Sequence, residues 1–279
     1  MNKIKYLLSN KGSYLAYGLI TAIFTVLPED VFRIIVISDK WSDFLNVLLN
    51  RLIVCVIIFL ICNNVYWCYI KYRQKVLIKG DNYTIQIEYG DILEISDGKK
   101  VINFDECFTT SVGELPSEIK PTSICGQYLS KHPINDISKL IDQAGISAAK
   151  TKSKYKKQIC YEPGTIIPNE DYLLMAFAKL NKDGIGYLSY DDYLNCLNKL
   201  WEGLDLYHGS TDVYIPILGS HITRIDKELN QQQLLDIMVD SYRLSQNKIK
   251  EPYVLHIVCK PTKGFSINDV WGVKNIKNT

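Results

Sequence analysis

The sequence predicts an α/β protein in two parts, a two-helix transmembrane hairpin over residues 1–79 and a layered α/β domain over residues 80–279. Two observations predict this division. Residues 1–79 contain two long uncharged stretches and hold 10 Lys and Arg against 4 Asp and Glu. Residues 80–279 alternate strand-like and helix-like segments and hold 22 Lys and Arg against 26 Asp and Glu. The overall composition, 47% hydrophobic and 22% charged, excludes a disordered chain and a strongly basic nucleic-acid binder.

The hairpin is predicted from segment length. Residues 52–70 carry no charge across 19 positions, which at about 1.5 Å per residue matches a bilayer core of roughly 30 Å. Residues 12–28 are also uncharged, but they reach a full span only if residues 7–13 or 31–37 contribute. A signal peptide is disfavoured because no small-residue cleavage site follows, and a soluble core helix is disfavoured because the second segment has no polar face.

The charges beside the two spans predict their orientation. Basic residues precede the first span and follow the second, namely Lys3, Lys5 and Lys11, then Lys71, Arg73, Lys75 and Lys79. The positive-inside rule therefore puts both termini and the α/β domain in the cytoplasm. Arg51 either reaches the membrane interface or contributes to a pore or subunit contact. Four asparagines can hydrogen-bond across the helices of an oligomer: Asn46, Asn50, Asn63 and Asn64.

The second part is read from its hydrophobic periodicity. Apolar alternation and short apolar runs predict strands at residues 82–89, 100–104, 164–167, 172–180, 212–218 and 252–259. Helical periodicity predicts helices at residues 124–130, 134–144, 190–204 and 227–246. Strands that alternate with helices over about 200 residues are typical of a layered α/β domain.

Several other features are expected to carry no chemistry. The eight cysteines include no Cys-x-x-Cys pair, and no histidines are spaced for zinc, so we expect reduced structural thiols. Residues 181–192 resemble an EF-hand loop, but Ile185 and Asp192 occupy positions that call for an oxygen ligand and a bidentate Glu. The lysine-rich residues 150–157 read as a solvated loop, with anionic lipid or nucleic acid as the alternative. No nucleophile–base arrangement is present, so no catalytic residue, metal or cofactor is predicted.

One segment favours phosphate binding. The apolar strand that begins at Val213 runs into a glycine-containing loop, and Arg224 is expected just before a helix; the loop is Gly219, Ser220, His221, Ile222 and Thr223. Glycine allows close approach of a ligand, and free backbone N–H groups at such a junction suit a phosphate. An ordinary capped turn is the alternative, and His221 either contacts a ligand or caps the loop.

Three segments follow one another in an informative order. Gly90, Asp91 and Ile92 end a strand, the next strand contains Asn103, and the Gly219 loop follows late in the chain. This order resembles the macro domain, a module that binds ADP-ribose. The resemblance implies a three-layer α/β/α macro-like domain with a mixed sheet. Together with the hairpin, the chain resembles the membrane effectors of type II Thoeris anti-phage defence systems.

The resemblance also implies site residues. Asp91 would bind the adenine amine, and Ile92 would pack on the ring or hydrogen-bond to it. Asn103 matches the first asparagine of the family motif, Gly126 lies at the first loop, and Gly219–Arg224 would hold the diphosphate. The second asparagine of that motif is replaced by Glu106, and the family's Gly-Gly-Gly loop is absent. Both departures disfavour hydrolysis and favour a binder.

The implied function is an effector in the bacterial inner membrane. Its macro-like domain would bind an ADP-ribose-derived signal, a histidine–ADP-ribose conjugate made by a TIR-domain partner. Homo-oligomers would then rearrange, and the hairpins would disrupt the lipid bilayer and cause abortive infection. The alternatives are a membrane-tethered ADP-ribosyl hydrolase and a passive membrane scaffold. No nucleic-acid partner is expected.

Overall fold

The computed structural model describes residues 11–33, 42–115, 117–220 and 228–270, together with the backbone of residues 224–225. The chain divides into two compact units, Met1–Arg73 and Gln74–Thr279.

Within its described residues, the first unit contains two α-helices and one short 3-10 helix. Helix α1 covers Lys11–Val26, a short 3-10 helix covers Glu29–Arg33, and helix α2 covers Asp43–Tyr72. Ser42 caps the start of α2, where its side chain accepts a hydrogen bond from the backbone N–H of Leu45. The helix begins nine residues before the uncharged residues 52–70 and ends two residues after them, so Arg51 lies inside it.

Polar side chains connect α1 and α2. Ser13 donates its hydroxyl to Asn63 Oδ1 at 3.3 Å, and Asn50 Nδ2 donates to the carbonyl of Phe32 at 2.8 Å. The Arg51 guanidinium carbon lies 5.2 Å from the ring centroid of Phe32 and 5.9 Å from that of Phe24. Asn50, Asn63 and Arg51 therefore stabilise the hairpin itself through hydrogen bonds and cation–π contacts.

Among the described residues, α2 alone is long and apolar enough to cross a membrane, with a mean hydropathy of 2.6. Helix α1 has 16 residues, which is short for a span. The extensions proposed for it include residues 7–10 and 34–37, which lie outside the described residues. A two-helix transmembrane hairpin therefore stays a prediction.

The second unit is built on one mixed sheet. Its strands are β1 (Lys75–Lys79), β2 (Thr84–Tyr89), β3 (Lys99–Asp105), β4 (Ile166–Asn169), β5 (Tyr172–Leu180), β6 (Gly186–Leu188), β7 (Val213–Pro216), β8 (Arg224–Ile225) and β9 (Val254–Cys259). The order across the sheet is β1-β2-β9-β7-β3-β5-β6-β8, and β4 also pairs with β5. The five strands from β2 to β5 in this order are parallel, whereas β1, β4 and β6 pair antiparallel with their neighbours.

Helices cover both faces of this sheet. The helices are α3 (Ile124–Lys131), α4 (Ile137–Ala144), α5 (Tyr190–Tyr207) and α6 (Gln231–Leu244). The core under α5 and α6 includes Trp201 and Tyr242, and the core under α3 and α4 includes Phe104 and Tyr128. Strand β5 is buried on both faces, which explains its continuous apolar sequence. The sheet with helices on both faces confirms the predicted α/β layering.

The structure corrects the predicted ends of some elements. Arg224 was expected just before a helix, but its backbone pairs with Tyr187 of β6 as part of β8. Helix α6 begins later, at Gln231, because Asn230 and Gln233 form a reciprocal capping box there. Strands β1, β6 and β8 were not predicted, since each is five residues or fewer and lies toward an edge of the sheet.

Candidate functional site

The second unit contains a cavity of about 710 Å³ at the carboxyl ends of its parallel strands. Its lining includes residues at or just after the ends of four of them: Asp105 of β3, Leu180 of β5, Ile217 after β7 and Lys260 after β9. This edge of an open parallel sheet is where ligands commonly bind in α/β proteins. The volume lies in the range of small-molecule and cofactor sites.

The turn after β2 forms one part of the wall. Gly90 and the buried Ile92 line the cavity, and Asp91 lies between them in sequence. Asp91 Oδ1 accepts a hydrogen bond from the backbone N–H of Leu93 at 3.0 Å, and Oδ2 lies 3.3 Å from Nζ of Lys260. Burial raises the pKa of Asp91, but the hydrogen bonds from Leu93 and Lys260, with the charges of Lys260 and Lys131, lower it below its usual value overall. Asp91 is therefore an ionised carboxylate beside the cavity.

The turn after β7 forms a second part of the wall. Gly219 and Ser220 line the cavity, and Gly219 has a φ of +81°, a conformation that side-chain-bearing residues rarely adopt. Ser220 Oγ donates to the carbonyl of Ile217 at 3.1 Å. His221, Ile222 and Thr223 lie outside the described residues, as does the side chain of Arg224.

Asn103 and Gly126 have different surroundings. Asn103 lies on β3, is half-buried and lines the cavity. Gly126 is buried in the first turn of α3, where its N–H donates to Ser123 Oγ at 2.9 Å. A Cβ atom at Gly126 would lie 2.2 Å from the carbonyl oxygen of Lys120. The absence of a side chain at Gly126 therefore allows α3 to pack against the preceding segment.

Asp105 and Glu106, two adjacent acidic residues at the end of β3, lie in different environments. Asp105 lines the cavity, and its Oδ1 accepts backbone hydrogen bonds from Cys107 at 2.8 Å and Thr109 at 3.2 Å. Burial raises the pKa of Asp105 above its usual value. Glu106 is buried as well, but its Oε1 accepts from Ser153 Oγ at 2.5 Å and from the N–H of Leu180 at 3.0 Å. Glu106 thus tethers the lysine-rich loop to β5.

The loop that resembles an EF-hand uses its oxygens within the chain. Asn181 Oδ1 accepts the N–H groups of Asp183 and Ile185, each at 2.9 Å, and Asp192 Oδ2 pairs with Lys179 Nζ at 2.9 Å. Within the part of the chain that the structure describes, no three potential ligands are grouped to hold a metal. Gly184 and Ile185 instead line the cavity.

Sequence reasoning missed several lining residues. They include Asp105, the segment of Glu114, Leu115, Ser117, Glu118, Ile119 and Lys120, the turn at Gly184 and Ile185, and Lys260. The place of Lys260 in the cavity wall could have been predicted, because Lys260 directly follows a predicted strand and the carboxyl ends of parallel strands meet at one edge of the sheet. Among the described lining side chains, three carboxylates (Asp105, Glu114 and Glu118) accompany two ammonium groups (Lys120 and Lys260).

The mixed sheet, the helices on both of its faces and the cavity at its carboxyl edge define a macro-like domain. The family model of the macro domain of the Thoeris protein ThsA matches residues 85–260, more than half of the chain. The chain belongs to this family and is a Thoeris macro-domain protein. It is 28% identical over 191 residues to the Thoeris protein ThsA of Bacillus amyloliquefaciens (strain Y2). The match covers 65% of this chain and 64% of that relative's length.

Proposed function

We propose that this protein is a membrane-anchored effector of anti-phage defence that is switched on by an ADP-ribose derivative. The signal that we favour is a histidine–ADP-ribose conjugate, which would be made by a TIR-domain partner. It would bind in the cavity with Asp91 and Ile92 at the adenine, and with Asn103 and Gly219–Arg224 at the ribose and diphosphate. Binding would shift the packing of a homo-oligomer and drive its hairpins to breach the bacterial inner membrane.

The observation that carries the binding proposal is the cavity itself. It lies inside the family-matched residues and is walled by both turns that the resemblance assigned to the ligand, at Gly90–Ile92 and at Gly219–Ser220. These turns follow β2 and β7, which are separated in the sheet only by β9. The two turns therefore lie at the same edge of the sheet with one strand between them. This arrangement suits a ligand with a base at one end and a diphosphate further along.

The hairpin supports the membrane part of the proposal. Only 17% of an apolar 18-residue stretch of α2 is buried, whereas the core helix of a soluble domain is mostly buried. Its exposed apolar side chains include Leu52, Val56, Leu60 and Trp67. Such a surface suits contact with lipid or with other hairpins. Because two helices are too few to enclose a pore, membrane damage would require an assembly.

Calorimetry on the full chain in detergent tests ligand binding. We expect ADP-ribose or one of its amino-acid conjugates to bind, and Gly219→Glu to abolish binding because the new carboxylate would occupy the cavity wall. Asp91→Ala should weaken binding, and Glu202→Ala, on the exposed face of α5, serves as the control. If no such nucleotide binds, or if Gly219→Glu binds as tightly as the parent chain, the proposal is wrong.

Hydrolysis of ADP-ribose linkages is the second candidate, and one observation disfavours it. Glu106, which stands where hydrolytic relatives are expected to carry an asparagine, uses its Oε1 to hold Ser153 and Leu180. A turnover assay on ADP-ribosylated protein separates the candidates, because an effector that only binds should release no ADP-ribose. Release that is lost in Gly219→Glu would favour the hydrolase.

A further inference from the structure

Lys260 occupies a place in the site that no sequence motif assigned. It follows the last residue of β9, and its side chain lines the cavity while Nζ lies 3.3 Å from Asp91 Oδ2. The side chain of Lys260 is 47% exposed, so it is not fixed by burial. It is held at the cavity by one carboxylate and by the position of its backbone.

The sheet order puts Lys260 between the turn at Asp91 and the turn at Gly219. Strands β2, β9 and β7 are neighbours and run parallel, so the residues after them follow one another along the carboxyl edge. The turn at Asp91 comes after β2, Lys260 comes after β9, and the turn at Gly219 comes after β7. A ligand that extends from Asp91 to Gly219 therefore passes Lys260.

The backbone around Lys260 is fixed by hydrogen bonds to the start of α6. Its carbonyl accepts from Gln231 Nε2 at 3.1 Å, and the N–H of Ser266, further along the same loop, bonds to Gln232 Oε1 at 3.3 Å. The loop is thus secured while the ammonium group itself retains rotational freedom. The ammonium group can therefore change its partner while the wall of the cavity stays in place.

Electrostatics favours such a change of partner. The second part of the chain is acidic, and the described lining carries more carboxylates than ammonium groups, so a diphosphate needs a local cation. We propose that Lys260 is this cation: it pairs with Asp91 before the ligand binds and then moves to the ligand's diphosphate, which frees Asp91 Oδ2 for the adenine amine. The proposal rests on the proposed function, and it explains how Asp91 becomes available.

Calorimetry with three probes, ADP-ribose, ADP and adenosine, tests the proposal on the full chain in detergent. Lys260→Gln should weaken ADP-ribose and ADP by about 10- to 100-fold, the scale of a charge-assisted hydrogen bond. It should not weaken adenosine, because Asp91 is then already free of Lys260. Lys260→Arg should restore much of the affinity for the phosphate-bearing probes. Lys263→Gln, at an exposed position in the same loop, is the matched control. The affinity of the parent chain for ADP should also fall with salt more steeply than that of Lys260→Gln.

The outcomes separate this inference from the proposed function. If Lys260→Gln binds ADP and ADP-ribose as tightly as the parent chain, Lys260 is not the phosphate cation. Equal weakening of adenosine would show that Lys260 only positions Asp91, and would also overturn the proposal. If ADP binds in a Lys260-dependent way but ADP-ribose and its conjugates do not, the inference stands and the proposed signal is wrong. If neither ADP nor ADP-ribose nor any of its amino-acid conjugates binds the parent chain, both are wrong.

Discussion

Gly126 lies where the first turn of α3 passes the backbone of Lys120. A Cβ atom there would stand 2.2 Å from the Lys120 carbonyl oxygen, so Gly126→Ala should lower the free energy of unfolding by roughly 1–3 kcal/mol. Gly90→Ala is the matched control, because its Cβ would meet Val258 Cγ1 at an ordinary 3.5 Å. Urea unfolding monitored by near-ultraviolet circular dichroism measures both. A Gly126→Ala chain of normal stability that fails to bind nucleotide would contradict this structural role.

Glu88 provides a pH-dependent contribution to stability. Its Oε2 lies 2.9 Å from Lys75 Nζ, and its Oε1 lies 2.8 Å from His256 Nδ1. Burial raises the pKa of Glu88, but the hydrogen bonds from Lys75, His256 and Gln86 outweigh burial and leave the pKa below its usual value. Since the folded-state pKa is the lower one, this stabilisation is complete above the unfolded pKa and is lost as the pH falls through the folded value.

We therefore expect Glu88→Gln to lower the free energy of unfolding by about 1–2 kcal/mol at pH 7 and to have a smaller effect at pH 3. Urea titrations at a series of pH values measure the difference between the two chains. Glu202→Gln, at an exposed position on α5, is the control. A Glu88→Gln effect that stays constant between pH 7 and pH 3 would contradict the assignment.

At the residue scale, sequence identified glycines and acidic residues but could not assign their partners. Gly219 was recognised as a turn residue, and its φ of +81° explains why glycine is needed there. The sequence did not predict that Asp91 pairs with Lys260 or that Glu106 accepts a hydrogen bond from Ser153. The two members of each pair lie far apart in the sequence. Contacts of this kind depend on sheet order, which periodicity does not specify.

At the scale of elements, α5 shows why helix positions were predictable. Leu204 is 0% exposed in the core under α5 and α6, whereas Leu206 on the same helix is 71% exposed. Leu204→Ala should cost about 2–5 kcal/mol of unfolding free energy, and Leu206→Ala should stay within about 0.5 kcal/mol. Thermal or urea unfolding of the two variants measures this difference. Similar losses for both would mean that α5 packs differently.

The long, central elements were predicted from sequence because burial imposes a strong pattern on them. Strand β5 and helix α5 have continuous or periodic apolar positions, and both were placed within a few residues of their observed bounds. Strands β1 and β6 have few buried positions, β8 has only two residues, and all three were missed. The segment that carries Glu114 and Glu118 has no apolar period at all, so its place in the cavity wall followed only from the fold.

At the scale of the whole molecule, the uneven charge distribution fits both proposed activities, membrane disruption and nucleotide binding. A basic, apolar first part suits a bilayer with an anionic cytoplasmic face, and an acidic second part restricts anion binding to a local site. We propose the cavity as this site, with Lys260 between the glycine turns that follow β2 and β7. Under the proposed function, a nucleotide would have to be held by specific groups, because the net negative charge of residues 80–279 repels anions.

The effector and scaffold hypotheses differ in what the hairpin must do. We expect that replacing residues 1–73 with an unrelated two-span anchor will keep nucleotide binding, since every described residue lining the cavity lies in the second unit. The same replacement should abolish ligand-dependent release of a dye from vesicles, because release would require the α1 and α2 surfaces. A Gly219→Glu chain with its own hairpin is the control for release without ligand binding. Ligand-dependent release that persists with the unrelated anchor would show that the hairpin only tethers the domain, and the effector mechanism proposed here would then be wrong.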